Sequence, residues 1–212
     1  MAAPWRWPAA WLRVLAIGAL LAWAALECFG PLRSQGIAPG SLDWMQRNRL
    51  WASAPDARLL LIDIDERSLA EMATEFGRWP WPRDTLATVL THAQSQGAAA
   101  VVFDILFSDP DRLRPGGDQA LAAAVASSRN SFFPVLRLPA RNDGASALRI
   151  DQVPGLARPG LAASSPAPTA AMVLPFMAAM QASGRLGTHN AQLDGDGILR
   201  RHAGAQALGG WL

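Results

Sequence analysis

Two apolar runs on either side of an amphipathic segment constrain the fold of this chain more than any other feature. The runs are RLLLIDID at 58–65 and AAAVVFDILF at 98–107. Short apolar runs without alternation predict strands that are buried on both faces, as in parallel sheets. The segment 83–97 between them predicts a helix that ends at Gly97. The apolar face of that helix is formed by Leu86, Val89, Leu90 and Ala93. The three elements together predict a right-handed βαβ unit.

The segments after this unit continue the alternation of helix and strand. Residues 118–129 predict a helix that begins at Asp118, and residues 131–138 predict a third strand. Pro134 within that strand indicates a sheet edge or a strand end. Residues 139–171 have no periodicity and predict a long surface loop. The pattern closes with a short helix near LPFMAAMQASG, a turn at LDGDG and a strand at ILRRHA.

Two shorter helices are predicted before the βαβ helix. Residues 40–52 have the spacing of a short amphipathic helix, and ERSLAEMA predicts a turn or two of helix with Asp65 as its N-cap. The predicted fold class is therefore α/β, a three-layer-like domain whose mostly parallel sheet is built from βαβ units. One N-terminal transmembrane helix is expected to precede it.

The N-terminal apolar run WLRVLAIGALLAWAALECF at 11–29 predicts a membrane address. A spanning helix needs about 20 apolar residues, which this run approaches if Arg13 extends toward the headgroups. A cleaved secretory signal, with Ala22-Trp23-Ala24 as its cleavage site, is the alternative. We favour an uncleaved anchor at 11–29. It would leave residues 1–10 in the cytoplasm and place the domain at 40–212 outside the inner membrane.

Acidic side chains lie near the ends of the two predicted parallel strands. They are Asp63, Asp65 and Asp104, and the helix that begins at Arg83 starts at the same edge of the sheet. A cation in the first helical turn opposes the helix dipole at a cost of a few tenths of a kcal/mol. We therefore expect Arg83 to contact one of these three carboxylates. Either an ion-pair network or a polar cleft for a small ligand would explain this arrangement.

The stretch GRWPWPRD at 77–84 precedes that helix and holds two tryptophans, each followed by proline. Proline pushes the preceding residue into an extended conformation, so Trp79 and Trp81 are expected to be fixed before any ligand binds. On a polyproline II backbone the two indoles would diverge, with one buried and one at the sheet edge. Trp79 and Trp81 therefore join Arg83 and the three acids as candidate ligand-binding residues.

The segment IDIDE also resembles the start of haloacid-dehalogenase-like phosphatases, in which the first Asp attacks phosphorus and the second transfers a proton. Here those residues would be Asp63 and Asp65, but Arg67 and Asp104 replace the small hydroxyl or apolar residues expected there, and the chain has no Lys. The segment LDGDGILRR lacks the third acid and the bidentate Glu of a calcium loop. We predict no catalytic residue, metal or cofactor.

Charge and cysteine content exclude further classes of protein. The formal net charge is +2 without a basic stripe, so no nucleic-acid partner is predicted. The single cysteine, Cys28, cannot form an intramolecular disulfide.

Five stretches, in this order, resemble the type-two CHASE sensory domain (cyclases/histidine kinases associated sensory extracellular). They are LLLIDIDERSLAEM, GRWPWPRDTLATVL, GAAAVVFDILFSDPD, DQALAAAV and GTHNAQLDGDGILRR. The resemblance implies an extracytoplasmic input domain of a bacterial membrane receptor. It also implies an unknown small ligand or envelope signal, a membrane partner and a homodimer. The output would be a cytoplasmic cyclase or kinase.

Two further expectations follow. The chain stops where such receptors continue into membrane helices, so we expect a fragment or a truncated product. A structural envelope module that binds no ligand remains an alternative to a sensor.

Overall fold

The computed structural model describes residues 9–29, 37–51, 54–160, 166–191, 193–200, 205, 208 and 210–211. The chain divides into two compact units. Unit 1 combines Met1–Leu61 with Gln192–Arg201, and unit 2 combines Ile62–Ala191 with His202–Leu212. Each unit has its own stabilising contacts and is described separately.

The described part of unit 1 contains two helices, α1 (Ala9–Phe29) and α2 (Ile37–Arg47). The predicted amphipathic helix at 40–52 is therefore present but begins and ends several residues earlier. The predicted cytoplasmic residues 1–8 lie outside the described part of the chain.

The predicted transmembrane anchor at 11–29 is wrong. Among the described residues, none of the helices combines the length and apolar character needed to cross a bilayer. Only thirteen residues separate Arg13 from Glu27. At 1.5 Å per residue they rise about 20 Å, whereas the hydrocarbon core of a bilayer is about 30 Å thick.

Arg200 connects α2 to the turn at 193–197 within unit 1. Its guanidinium lies 2.6 Å from a carboxylate oxygen of Asp43, 2.6 Å from one of Asp196 and 3.0 Å from one of Asp194. Three carboxylates on one planar guanidinium satisfy its fork of donors. Hydrogen bonds from Arg200 lower the pKa of Asp43, and they lower the pKa of Asp196 to about 2.

This ion-pair cluster predicts a pH dependence of stability. A carboxyl group whose pKa is depressed on folding stabilises the fold above its unfolded pKa of about 3.9, and this contribution disappears as pH falls through the folded pKa. The urea midpoint should therefore fall as pH drops from about 4 to about 2. The Arg200→Gln variant should show a shallower dependence over that range. Arg49→Gln, which removes an exposed arginine without an ion-pair partner in the described residues, should leave the slope unchanged; an equal change would contradict the assignment.

In its described residues, unit 2 contains five α-helices and a small sheet. The helices are α3 (Glu66–Glu71), α4 (Ala73–Phe76), α5 (Arg83–Ser95), α6 (Pro115–Ser127) and α7 (Ala178–Ala182). The predicted N-cap is confirmed, since Asp65 accepts hydrogen bonds from the backbone N and the hydroxyl of Ser68 at 2.8 and 2.7 Å. The predicted helices at 83–97 and 118–129 correspond to α5 and α6.

The sheet is mixed, which corrects the predicted mostly parallel sheet. Its strands are β1 (Val101–Val102), β2 (Ser131–Arg137), β3 (Met172–Val173) and β4 (Leu186–Thr188). β2 pairs with β1 and β4 in parallel and with β3 in antiparallel orientation.

The predicted strand at 58–65 is absent, and the predicted strand at 98–107 is reduced to β1. Leu59, Leu60 and Leu61 are more than 80% exposed, so this run is not buried on either face as a parallel strand would be. No strand occurs at 198–200, the described part of the predicted strand ILRRHA.

β2 is the central strand, although Pro134 predicted an edge or a strand end. On one side it accepts a hydrogen bond from Phe103 at Phe132, and further along Leu138 donates to Ala171. Side-to-side alternation along a strand directs the nitrogen of Pro134 to this same side. β1 pairs with residues 131–132 and β3 with residues 136–137, so Pro134 lies between them on this side. A backbone N–H at position 134 would have no described strand to donate to, and proline is tolerated there.

Two apolar clusters stabilise unit 2. The larger packs α5, α6 and α7 against the sheet and contains Leu90, Leu121, Phe107, Phe133 and Met180, each at most 2% exposed. The smaller contains Ile150, Ala167 and Ala170 and lies in the predicted loop 139–171. Described parts of that loop also form two 3₁₀ helices, Ala140–Ala145 and Ile150–Gln152. The loop 139–171 is rich in small residues and has no periodicity, so its sequence did not predict that it packs.

Candidate functional site

Arg83 stands at the start of α5, as predicted, but its expected contact with Asp63, Asp65 or Asp104 is wrong. Its ion-pair partner is Asp118 in the first turn of α6, with Nε and Oδ1 3.8 Å apart. The first turns of α5 and α6 are in close contact here. A Cβ added at Gly117 in α6 would lie 3.1 Å from the backbone nitrogen of Arg83 in α5.

The Arg83 side chain is largely buried, with 13% of its surface exposed. Its guanidinium lies 4.7 Å from the centroid of the Phe107 ring and donates to the carbonyl of Asp109 at 3.3 Å. Burial lowers the pKa of Arg83, and the carboxylate of Asp118 opposes that shift. The side chain therefore links the loop 108–114 to the aromatic core, and it stays charged, since arginine titrates far above neutral pH.

The three predicted acids lie apart from Arg83 and serve other contacts. Asp65 caps α3, and its hydrogen bonds from Ser68 lower its pKa. One carboxylate oxygen of Asp104 lies 2.8 Å from Nδ1 of His189. Asp63 is exposed in a segment without regular secondary structure. Asp63 and Asp65 thus do not end a sheet strand, the position that a phosphatase nucleophile and its proton donor would require.

The tryptophans of the GRWPWPRD stretch contact each other, which contradicts the prediction that they diverge. Their ring centroids are 5.9 Å apart in an edge-to-face arrangement. The peptide bond between Trp79 and Pro80 is cis, so the backbone does not follow a polyproline II helix there. As expected, one indole is buried and one is not: Trp81 is 9% exposed and Trp79 is 41% exposed.

The loop 108–114 fixes this Trp-Pro stretch in place. Arg114 donates to the carbonyl of Pro80 at 3.1 Å and pairs with Asp111 at 3.0 Å. The backbone N of Asp111 in turn donates to Asp118 at 2.8 Å. Hydrogen bonds and the positive charge of Arg114 contribute to a lowered pKa of Asp111, against the raising effect of burial.

Two buried polar atoms in this region, Nε1 of Trp81 and Oδ1 of Asp118, have no hydrogen-bond partner in the part of the chain that the structure describes. Unpartnered buried polar groups cost free energy and are rare. We call the set Trp79, Trp81, Arg83, Arg114 and Asp118 the Trp–Arg cluster. It combines the exposed indole of Trp79 with two arginines, and two of its buried polar atoms have no hydrogen-bond partner among the described residues.

Asp118 and Arg114 were not predicted as members of this cluster. Asp118 was assigned only to a helix start, although helices that follow parallel strands begin at the same sheet edge. That topological signal was available for Asp118. No comparable signal existed for Arg114, because its contact with Pro80 spans 34 residues.

A cavity beside the sheet was also not predicted from the sequence. A cavity of about 470 Å³ is lined by residues of β2, β3 and β4 and of the smaller cluster. Among the described residues, no group of three or more His, Cys, Asp and Glu side chains is placed to hold a metal ion.

The family model described as the CHASE2 domain matches residues 10–208, which is nearly the whole chain. No curated protein and no solved structure matches the chain.

Proposed function

We propose, since this chain belongs to the CHASE2 domain family, that it receives a stimulus outside the cytoplasmic membrane and relays it to a cytoplasmic cyclase or kinase. CHASE2 domains are sensory extracellular domains of signalling receptors, and they are input domains rather than catalytic ones. The match over residues 10–208 is the observation that carries the proposal. It also confirms the resemblance identified in the sequence.

The relay requires two states of the domain with different affinity for the stimulus. A ligand shifts such an equilibrium only by its differential binding free energy. Because cyclase and kinase outputs of such receptors act as dimers, we place a homodimer in the proposed mechanism. The proposed bacterial receptor is associated with the inner membrane, and this domain lies on its outer side.

Cysteine labelling in intact cells tests the location. In the whole gene product, with Cys28→Ser as background, Ala126→Cys places a thiol on the exposed face of α6. A membrane-impermeant maleimide should label it equally before and after lysis. Val125→Cys is the matched control, because Val125 is 1% exposed and its thiol should react only after denaturation. Labelling of Ala126→Cys only after lysis would overturn the proposed location.

The Trp–Arg cluster is the surface that we assign to stimulus recognition. Its exposed member, Trp79, presents an indole against the buried Trp81, and Arg114 donates to the carbonyl of Pro80 between them. Aromatic side chains next to a fixed cation suit the recognition of small ligands that are partly apolar and partly polar. The unpartnered polar atoms of Trp81 and Asp118 are buried beneath this surface, where an internal water would satisfy them.

Separate substitution of the two tryptophans distinguishes recognition from structure. Trp81→Ala should lower the free energy of unfolding by about 3 kcal/mol, because it removes a buried ring that also contacts Phe76. Trp79→Ala should cost less than about 1 kcal/mol and should reduce the receptor's response. Urea unfolding and the output activity of the whole receptor measure these effects. If both variants only unfold the domain, the cluster has no recognition role.

A further inference from the structure

The cavity beside the sheet has the size and wall of a small-molecule site. Its volume of about 470 Å³ falls within the range of about 300–1,000 Å³ that is typical of such sites. All of the described residues around it belong to unit 2. Most of the wall is apolar and is formed by Ile150, Leu156, Met172, Leu186, Leu208 and Trp211.

The charged groups around the cavity are both arginines. Arg137 and Arg158 line it, and none of the described lining residues is acidic. Arg137 is already neutralised, since its guanidinium lies 2.5 Å from a carboxylate oxygen of Asp143 and also donates to the carbonyls of Leu138 and Ala171. Hydrogen bonding by Arg137 lowers the pKa of Asp143, which keeps this pair ionised.

Arg158 differs from Arg137 in having no carboxylate to neutralise it. It has no ion pair or hydrogen bond within the described part of the chain, and its side chain is exposed at the cavity wall. The cavity therefore combines an apolar interior with one uncompensated positive charge. An anion at this position would gain a charge-assisted contact without first breaking an internal ion pair.

We propose that this cavity binds a small amphipathic carboxylate. The apolar body of the ligand would lie among Leu156, Met172 and Trp211, and its anionic head would face Arg158. The cavity shares none of its described lining residues with the Trp–Arg cluster, so it would be a second ligand site of the same sensory domain. Its biological meaning rests on the proposed sensory function. Binding is measured on the isolated chain, so its failure is distinguishable from failure of the labelling experiment.

The test compares octanoate with octan-1-ol, which share an apolar tail and differ in charge. The purified whole chain is titrated with each probe and followed by ligand-observed NMR. Octanoate should bind more tightly, with a dissociation constant on the order of 1 mM for a ligand of this size. Arg158→Gln should weaken octanoate about two- to fivefold, as expected for an exposed ion pair, and leave octan-1-ol unchanged.

The control for charge is Arg129→Gln, which removes another exposed arginine that does not line the cavity. It should leave both affinities unchanged. Equal binding of the two probes by the parent chain, or equal loss in the two arginine variants, would overturn the proposal.

A second variant tests the location by filling the cavity. Gly187 lies in its wall, and a Cβ added there would meet no atom within 4 Å. Gly187→Leu should therefore abolish binding of both probes with an unchanged circular dichroism spectrum. Gly116→Leu, at an equally open glycine in α6 that does not line the cavity, should bind like the parent. If the Gly187→Leu variant is folded and still binds octanoate, the cavity is not the binding site. If that variant unfolds, the comparison of Arg158→Gln with Arg129→Gln decides whether the proposal holds.

Discussion

Replacement of Phe107 by alanine is expected to lower the free energy of unfolding of unit 2 by about 3–5 kcal/mol. The ring is 1% exposed and lies at the centre of an aromatic group. Its centroid is 5.9 Å from that of Phe103 and 6.2 Å from that of Phe133, both in edge-to-face geometry. Alanine would leave a cavity among these rings and remove the ring on which the Arg83 guanidinium lies.

Phe107→Leu separates volume from the cation–π contact. Leucine keeps most of the apolar volume but has no ring for Arg83, whose contact is worth about 0.5–2 kcal/mol. Phe103→Leu is the matched control, because Phe103 belongs to the same aromatic group, and Arg83 lies over the ring of Phe107. Denaturant unfolding should show a larger loss for Phe107→Leu. A loss below about 1 kcal/mol for Phe107→Ala would show that this aromatic group is not the core of unit 2.

Local patterns predicted the helices of unit 2 well, because their signals lie within one or two turns. Leu86 and Leu90 have the spacing of a buried helical face, and both are buried in α5. Asp65 was recognised as an N-cap because the capping bond spans only three residues. Such elements depend little on what the rest of the chain does.

Sheet pairing could not be predicted in the same way, because a strand needs a partner that is distant in sequence. The run 58–65 has the composition of a buried strand, yet it lies exposed and unpaired in the described structure. The run 131–138 carried a proline and became the central strand, since Pro134 faces a gap between two ladders. Composition therefore indicated which residues can form a strand, but it did not indicate which strands pair with each other.

In the candidate site, too, residues close in sequence were predicted together and contacts between distant residues were not. Sequence analysis placed Arg83, Trp79 and Trp81 together, because all three lie within five residues. It assigned Arg83 the wrong carboxylates, because it relied on a parallel strand at 58–65 that does not form. The actual partner, Asp118, lies 35 residues away on a different helix. The cavity at Arg158 depends on three strands and a segment without periodicity, and no local motif indicated it.

Gly155→Ala is expected to destabilise unit 2 by about 2–5 kcal/mol. Gly155 has φ +72°, a left-handed conformation that costs an alanine about 1–2 kcal/mol. An added Cβ would also lie 2.0 Å from the carbonyl oxygen of Gly184, so one of two backbone segments must move. Overpacking of this kind adds about 1–3 kcal/mol. The close approach joins the smaller cluster to the chain just before β4, and Gly155 also lines the cavity.

Gly97→Ala isolates the conformational part of this cost. Gly97 has φ +80°, but a Cβ there would meet no atom within 4 Å, so only the cost of the left-handed conformation should appear. Urea unfolding of both variants gives the difference, which measures how tightly the backbones at 155 and 184 are held together. Equal losses would mean that the segment at 155 shifts freely away from Gly184. The cavity walls would then not be rigid, and Gly155→Ala should leave octanoate binding unchanged. A larger loss for Gly155→Ala, accompanied by weaker octanoate binding, would show that the same close packing shapes the cavity.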